Sequence, residues 1–171
     1  MIISIFKSIS KAYVDLEIDL PWDNIVEVLT EHHDADSKAE VEMFNLAEFK
    51  KLDDPTTQLA RRYKGSDVDG IWMRDPSGAF DEIPDTVRRC KANLVSISGI
   101  ILDIDEKMSI VDAMETLDGL EYVIYTTFRH TLEKNKFRVV IPFAKPLLAA
   151  DIESRQQDII DTFPGVDNCS F

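Results

Sequence analysis

Ile100-Ile101-Leu102-Asp103-Ile104-Asp105 is an apolar run that ends in two carboxylates one residue apart, and the rest of the chain is read outward from it. The run has the character of a buried strand. Side chains alternate faces along a strand, so Asp103 and Asp105 share one face while Ile104 turns into the core. Two carboxylates on one face repel each other. A hard divalent cation with oxygen ligands removes that repulsion, and Mg²⁺ in particular takes one or two protein carboxylates together with substrate phosphates. The stretch therefore points to a metal site and to phosphate chemistry. The plain alternative is a pair of acids that solvate the exit of a strand.

A regular pattern surrounds this run. Residues 94–102 form a strand pattern, and Ser109 with Asp112 three residues later marks a helix N-terminus running to about Leu117, which Gly119 closes. Residues 122–126 return as a strand, Glu133-Lys134-Asn135 makes a polar turn, and residues 136–141 pair back as a hairpin. A long amphipathic helix is expected over residues 149–163. The order β-α-β-β-α lacks one strand of a split β-α-β unit of the RNA-recognition type, and that strand would follow Asp167. The fold class expected is thus α/β in the α+β sense.

Upstream, Ile2–Phe6 and residues 13–18 look like short strands, and Pro21-Trp22-Asp23 opens a helix through Leu29. Trp22, Ile25, Val26 and Leu29 fall on one face of it. Residues 51–84 are rich in Asp, Pro, Gly and Thr and suit a loop-rich connection. Two lobes are expected: an amino-terminal α/β lobe over residues 1–92 and a second lobe over residues 93–171.

Composition narrows the class. With 171 residues and 44% apolar content the chain can bury a real core, and no apolar run approaches the length of a membrane span. Met1-Ile2-Ile3-Ser4-Ile5-Phe6 is too short for a secretory signal, so a soluble, cytoplasmic protein without a membrane partner is expected. Cys90 and Cys169 lack metal-ligand spacing, and reduced thiols are the default. The net charge of -13 argues against a simple nucleic-acid-binding module. The distribution answers part of that objection: residues 126–145 carry Arg129, Lys134, Lys136, Arg138 and Lys145 against the single acid Glu133. A second basic cluster comprises Arg61, Arg62, Lys64, Arg88, Arg89 and Lys91.

Tyr125-Thr126-Thr127, His130-Thr131, Phe137-Arg138-Val139-Val140-Ile141-Pro142-Phe143 and Gly165-Val166-Asp167 follow the acidic strand in that order. The succession resembles the three motifs of the archaeo-eukaryotic primase superfamily, in the PrimPol form of phage and plasmid replication proteins: an acidic pair after an apolar run, a histidine after the next strand, and a later Asp. Asp36-Ser37-Lys38-Ala39 with Met43-Phe44 is similar to the amino-terminal half of phage primases. Phe128 stands where that superfamily usually has the serine of Ser-x-His, with Arg129 between it and the histidine.

The resemblance implies metal-dependent nucleotidyl transfer by a primase-polymerase core. It implies Asp103, Asp105 and Asp167 as ligands of a two-metal Mg²⁺ or Mn²⁺ site, and His130 near the triphosphate of an incoming nucleotide. Arg129, Lys136 and Arg138 would be further phosphate contacts. Arg138 follows Lys136 by two and shares its strand face, and the guanidinium fork suits phosphate; its ordinary alternative is a cross-strand ion pair. The implied partners are ribo- or deoxyribonucleoside triphosphates, a single-stranded DNA template, and a fused or associated helicase. The chain is then expected to be part of a longer replication protein, truncated within the second lobe. Other readings stay open. One is a primase-like domain without catalysis that binds single-stranded DNA or a replication partner. Others are a haloacid-dehalogenase-like phosphatase, which shares the D-x-D after an apolar strand, and a D-x-D glycosyltransferase. His32-His33 reads as a solvent-facing pair at a helix end.

Overall fold

The computed structural model describes residues 1–7, 13–31, 42–50, 61–62, 71–72, 87, 89–105, 108–163 and 166. The elements in chain order are strands β1 (Ile2–Phe6) and β2 (Leu16–Asp19), helix α1 (Trp22–Thr30), strands β3 (Met43–Asn45), β4 (Ala47–Phe49), β5 (Arg61–Arg62), β6 (Ile71–Trp72) and β7 (Leu94–Asp105), helix α2 (Ile110–Thr116), strands β8 (Val123–Thr126) and β9 (Lys136–Leu148), and helix α3 (Ala149–Thr162). They form the mixed α+β fold expected. The strands make a three-stranded sheet ordered β2-β1-β3, a four-stranded sheet ordered β4-β7-β9-β8, and the small β5-β6 pair.

The four-stranded sheet positions the site. Its central pair is β7 and β9, antiparallel, with β8 antiparallel on the far side of β9. Val166 makes an isolated antiparallel bridge to Ile104 on the other edge of β7. That is the neighbour order a split β-α-β unit requires, with Val166 at the place of the fourth strand. The strand expected after Asp167 lies outside the described residues. The same edge of β7 is covered at its beginning by β4, which pairs with residues 94–97.

Alternation divides the apolar residues between two layers. Ile100, Leu102 and Ile104 of β7 and Phe137 and Val139 of β9 are buried with Ala113, Leu117, Phe163 and Val166 beneath α2 and α3. The opposite face carries Val123 and Val140, buried with Ile3, Ile25 and Leu46, and Trp22, Val26 and Leu29 of α1 pack against them. The helical spacing read from α1 is the face that meets this core. Ser4 and Ser98 are buried hydroxyls between the two larger sheets, and each has a carbonyl to donate to: Ser4 Oγ to Ala47 at 2.7 Å and Ser98 Oγ to Ile2 at 3.0 Å. Burial of a hydroxyl without such a partner would be costly.

Two local details differ from the sequence reading. Strand β9 does not stop at Ile141 before Pro142; it runs on to Leu148 through a register shift opposite Ile97 and Gly99. Proline cannot donate to a ladder and is tolerated at such irregularities. Gly99 is required there, since a Cβ would lie 2.6 Å from the Ile141 carbonyl oxygen and 2.6 Å from Leu46 Cδ1. Strand β7 also continues past Leu102 to Asp105, so both acids belong to the ladder and not to its exit. The start of α2 matches expectation: Ser109 Oγ accepts from Asp112 N at 3.1 Å and Asp112 Oδ2 from Ser109 N at 3.3 Å, a capping box. Gly119, just beyond, has a φ of 82°, which suits glycine.

Candidate functional site

Three cross-strand rows run over the face of the sheet opposite α2 and α3. Register pairs Val123 with Val140 and Ile101 with Val140, so the first row is apolar and lies under α1 and β1. In the second, Tyr125 of β8 and Asp103 of β7 both flank Arg138 of β9. In the third, Asp105 stands opposite Lys136, and the Thr127 backbone N–H donates to the Lys136 carbonyl at 2.9 Å. The last two rows lie where the apolar cover ends. Asp103, Asp105, Thr127, Arg129, Lys136 and Arg138 line a hollow of ≈ 100 Å³ there.

Each carboxylate meets a cation across the strand pair. Lys136 Nζ donates to Asp105 Oδ2 at 2.8 Å, and Arg138 Nη2 to Asp103 Oδ2 at 3.3 Å. The mutual repulsion that the D-x-D spacing implies is therefore offset within the protein. The cations are the more buried members: the side chains of Lys136 and Arg138 are 20% and 29% exposed, those of Asp105 and Asp103 51% and 40%. Burial opposes the charge on Arg138, yet the neighbouring Tyr125 and Asp103 outweigh it and hold the guanidinium above its ordinary value. Burial likewise pushes the Tyr125 phenol up, with Arg138 pulling the other way. Arg138 is thus a permanent cation in a partly desolvated place.

His130 lies on the turn between β8 and β9 and does not line the hollow. Its backbone N–H donates to the Thr127 carbonyl at 2.9 Å, and its Nδ1 accepts the Lys136 backbone N–H at 3.2 Å. A neutral imidazole whose Nδ1 accepts carries its proton on Nε2. His130 thereby ties the turn to the first residue of β9. Asp167 lies outside the described residues, as do His32, His33 and residues 36–39. Tyr125 and Thr127 were read from the sequence only as part of a motif, with no site role, although the alternation that places Val123 on this face extends to both.

Among the described residues no group of three or more His, Cys, Asp or Glu could hold a metal ion. The donor chemistry of Asp103 and Asp105 nonetheless fits Mg²⁺ or Mn²⁺ in the mode where two carboxylates share the ion with phosphate oxygens and water, because the donors are hard oxygens with no thiol or imidazole lining the hollow. No helix among the described residues is long and apolar enough to cross a membrane.

A split β-α-β sheet with an acid–base cluster at the uncovered end of one face places the protein among α+β domains that present their charge on a sheet. The chain belongs to the VapE N-terminal domain family, which matches residues 78–168, and this is a domain of phage and plasmid replication proteins. The matched span runs from before β7 to beyond α3 and contains every residue that lines the hollow. No curated protein and no solved structure matches the chain significantly.

Proposed function

We propose that the protein is a primase-polymerase domain that carries out metal-dependent nucleotidyl transfer. The observation that carries this reading is the hollow itself, where two hard carboxylates and the three cations Arg129, Lys136 and Arg138 converge at the open end of one sheet face of a replication-protein domain. Phosphoryl chemistry needs both signs of charge at close quarters, carboxylates for the metal and cations for the phosphates. Asp103 and Asp105 would hold Mg²⁺ or Mn²⁺, with Asp167 as the third carboxylate; the bridge from Val166 to Ile104 brings the neighbouring backbone alongside the acidic strand. When bound, the metal supplies Lewis acidity toward the attacking 3′-hydroxyl and the α-phosphate.

The protein's own side chains position the nucleotide. Arg138 offers a planar fork fixed in the ladder and kept charged by its neighbours, which suits two phosphate oxygens. Lys136 and Arg129 extend the cationic surface toward the turn. With Nδ1 engaged by the backbone, His130 has Nε2–H left to donate to the triphosphate. A single-stranded DNA template would lie along the same face, and a fused or associated helicase would supply it.

A second reading is a primase-like domain without catalysis that binds single-stranded DNA or a replication partner; in its favour, both carboxylates are already ion-paired. Incorporation of labelled nucleotides on a single-stranded template, with Mg²⁺ or Mn²⁺ and with chelator, separates the two. Metal-dependent extension is expected. Metal-independent DNA binding with no incorporation would overturn the catalytic reading.

A further inference from the structure

We propose that Phe128, on the turn between β8 and β9, is a stacking platform that holds one unpaired base of a single-stranded DNA at the rim of the hollow. This deepens the replication reading above and rests on it for the identity of the strand. The construction of the turn comes first. The His130 backbone N–H donates to the Thr127 carbonyl at 2.9 Å and closes a turn with Phe128 and Arg129 at its centre. Thr131 and Lys134 exchange backbone hydrogen bonds in both directions, each at 3.1 Å, and close a second turn with Leu132 and Glu133 at its tip. The Thr127 N–H donates to the Lys136 carbonyl at 2.9 Å, and the Lys136 N–H to His130 Nδ1 at 3.2 Å. These bonds tie the segment to itself and to the start of β9.

On this frame Phe128 is 56% exposed and Leu132 97% exposed. Single exposed apolar side chains are ordinary on a protein surface. Phe128 differs from the others in its place between Thr127 and Arg129, both of which line the hollow. A strand whose phosphates meet Arg129 therefore passes within one residue of an open aromatic ring. Charge favours such a strand at this place. The chain carries -13 overall, whereas residues 126–145 hold Arg129, Lys134, Lys136, Arg138 and Lys145 against the single acid Glu133.

An aromatic ring beside cations is the combination that takes up single-stranded nucleic acid, the cations following the backbone and the ring stacking on a base. A duplex does not present that base, because its neighbours already cover it. Stacking also suits a template strand. Every base has a π-face, so a ring accepts any sequence, whereas a side chain that reads base edges by hydrogen bonds favours one base over the others. Leu132 extends the apolar surface to the tip of the turn but has no π-face, and its contribution should be smaller.

Fluorescence anisotropy of the whole chain with a labelled oligodeoxythymidine, in chelator and without nucleotide, tests this against a strand of equal length built from abasic-site analogues. Phe128→Ala should weaken binding of the oligodeoxythymidine by about tenfold or more and leave the abasic strand unaffected. Phe128→Trp should keep the wild-type affinity and Phe128→Leu should not. The slope of affinity against salt should stay at its wild-type value in all three variants, whereas Arg129→Ala should reduce it by about 0.7 for one lost phosphate contact. Equal losses on both strands, a Leu variant as good as Trp, or a Leu132→Ala loss as large as that of Phe128→Ala would make the turn a general apolar contact and overturn stacking. A wild type that does not bind the oligodeoxythymidine would overturn it too. The Trp and Leu variants decide the matter by themselves if Phe128→Ala fails to fold. Nucleotide incorporation by wild type is read separately: stacking without incorporation removes the catalytic reading and keeps this proposal, whereas incorporation with an unaltered DNA affinity in Phe128→Ala removes this proposal alone.

Discussion

The two ends of one sheet face are built from the same three strands and behave in opposite ways. At one end Val123, Val140 and Ile101 form a row sealed by α1, β1 and Leu46, and Val140 has no exposed surface. At the other end, one and two steps along the same alternation, Tyr125, Arg138 and Asp103 and then Lys136 and Asp105 form rows open to a hollow. The strand pattern does not change between them. What changes is the cover, and with it the dielectric: the apolar row contributes stability through burial, while the charged rows sit where ions keep part of their hydration. Buried apolar contacts and exposed charge are thus separated along the strands by a few residues.

Moving charge into the sealed end should break this division most severely. Val140→Asp places a carboxylate at a fully buried position with no cation opposite, and a loss of more than about 4 kcal/mol of stability is expected. Chemical denaturation reads this directly. A variant that folds with near-native stability would show that α1 does not seal the row.

The converse substitution should separate function from fold. Asp103→Ala removes a member of a partly exposed ion pair, so the stability change should be about 1 kcal/mol or less, while nucleotide incorporation falls below detection. Melting and extension assays on the same preparation check both halves of the statement. Incorporation at the wild-type rate would remove Asp103 from the metal site.

The smallest effect expected lies at the boundary between the two ends. Burial raises the folded-state value of Tyr125 above its ordinary value of 10.0, although Arg138 opposes the shift. A group raised in the folded state contributes stability that is complete below the unfolded value and is lost as pH rises through the folded one. The stability of wild type relative to Tyr125→Phe should therefore be constant well below the unfolded value of about 10 and decline as pH rises above it. Denaturation curves across that range provide the test, and a difference that stays flat would place the phenol in solvent.

Much of the local structure was legible in residue order. The apolar run ending in Asp103 and Asp105, the capping box of Ser109 and Asp112, the apolar face of α1, and the shared face of Lys136 and Arg138 all follow from periodicities of two or 3.6 residues or from a cap three residues long. The extension of β9 beyond Pro142 was not legible, because a proline reads as an end unless a partner strand absorbs it in a register shift. Nor was the insertion of β4 beside β7, since three residues carry too little pattern to announce a neighbour. The turn histidine shows a different limit. Its place after the second strand was evident, but the acceptance of the Lys136 backbone N–H by Nδ1 depends on how a turn closes.

By itself, then, the sequence determined which residues are acidic, basic or apolar on each strand face, and that two carboxylates emerge together beside a basic hairpin, because these properties depend only on neighbours a few positions apart. Tertiary structure alone decided that Asp103 stands opposite Arg138 and Asp105 opposite Lys136, that Tyr125 flanks the same guanidinium, and that α1 and β1 seal one end of the face while leaving the other open. Register across β7 and β9 joins residues that are 35 and 31 apart in the chain, and a shift of one position would exchange the two faces. The physical reason is that pairing is set by the whole pattern of buried positions on both strands and by the helices that cover them, so the charges at the open end inherit their partners from the packing of the closed one.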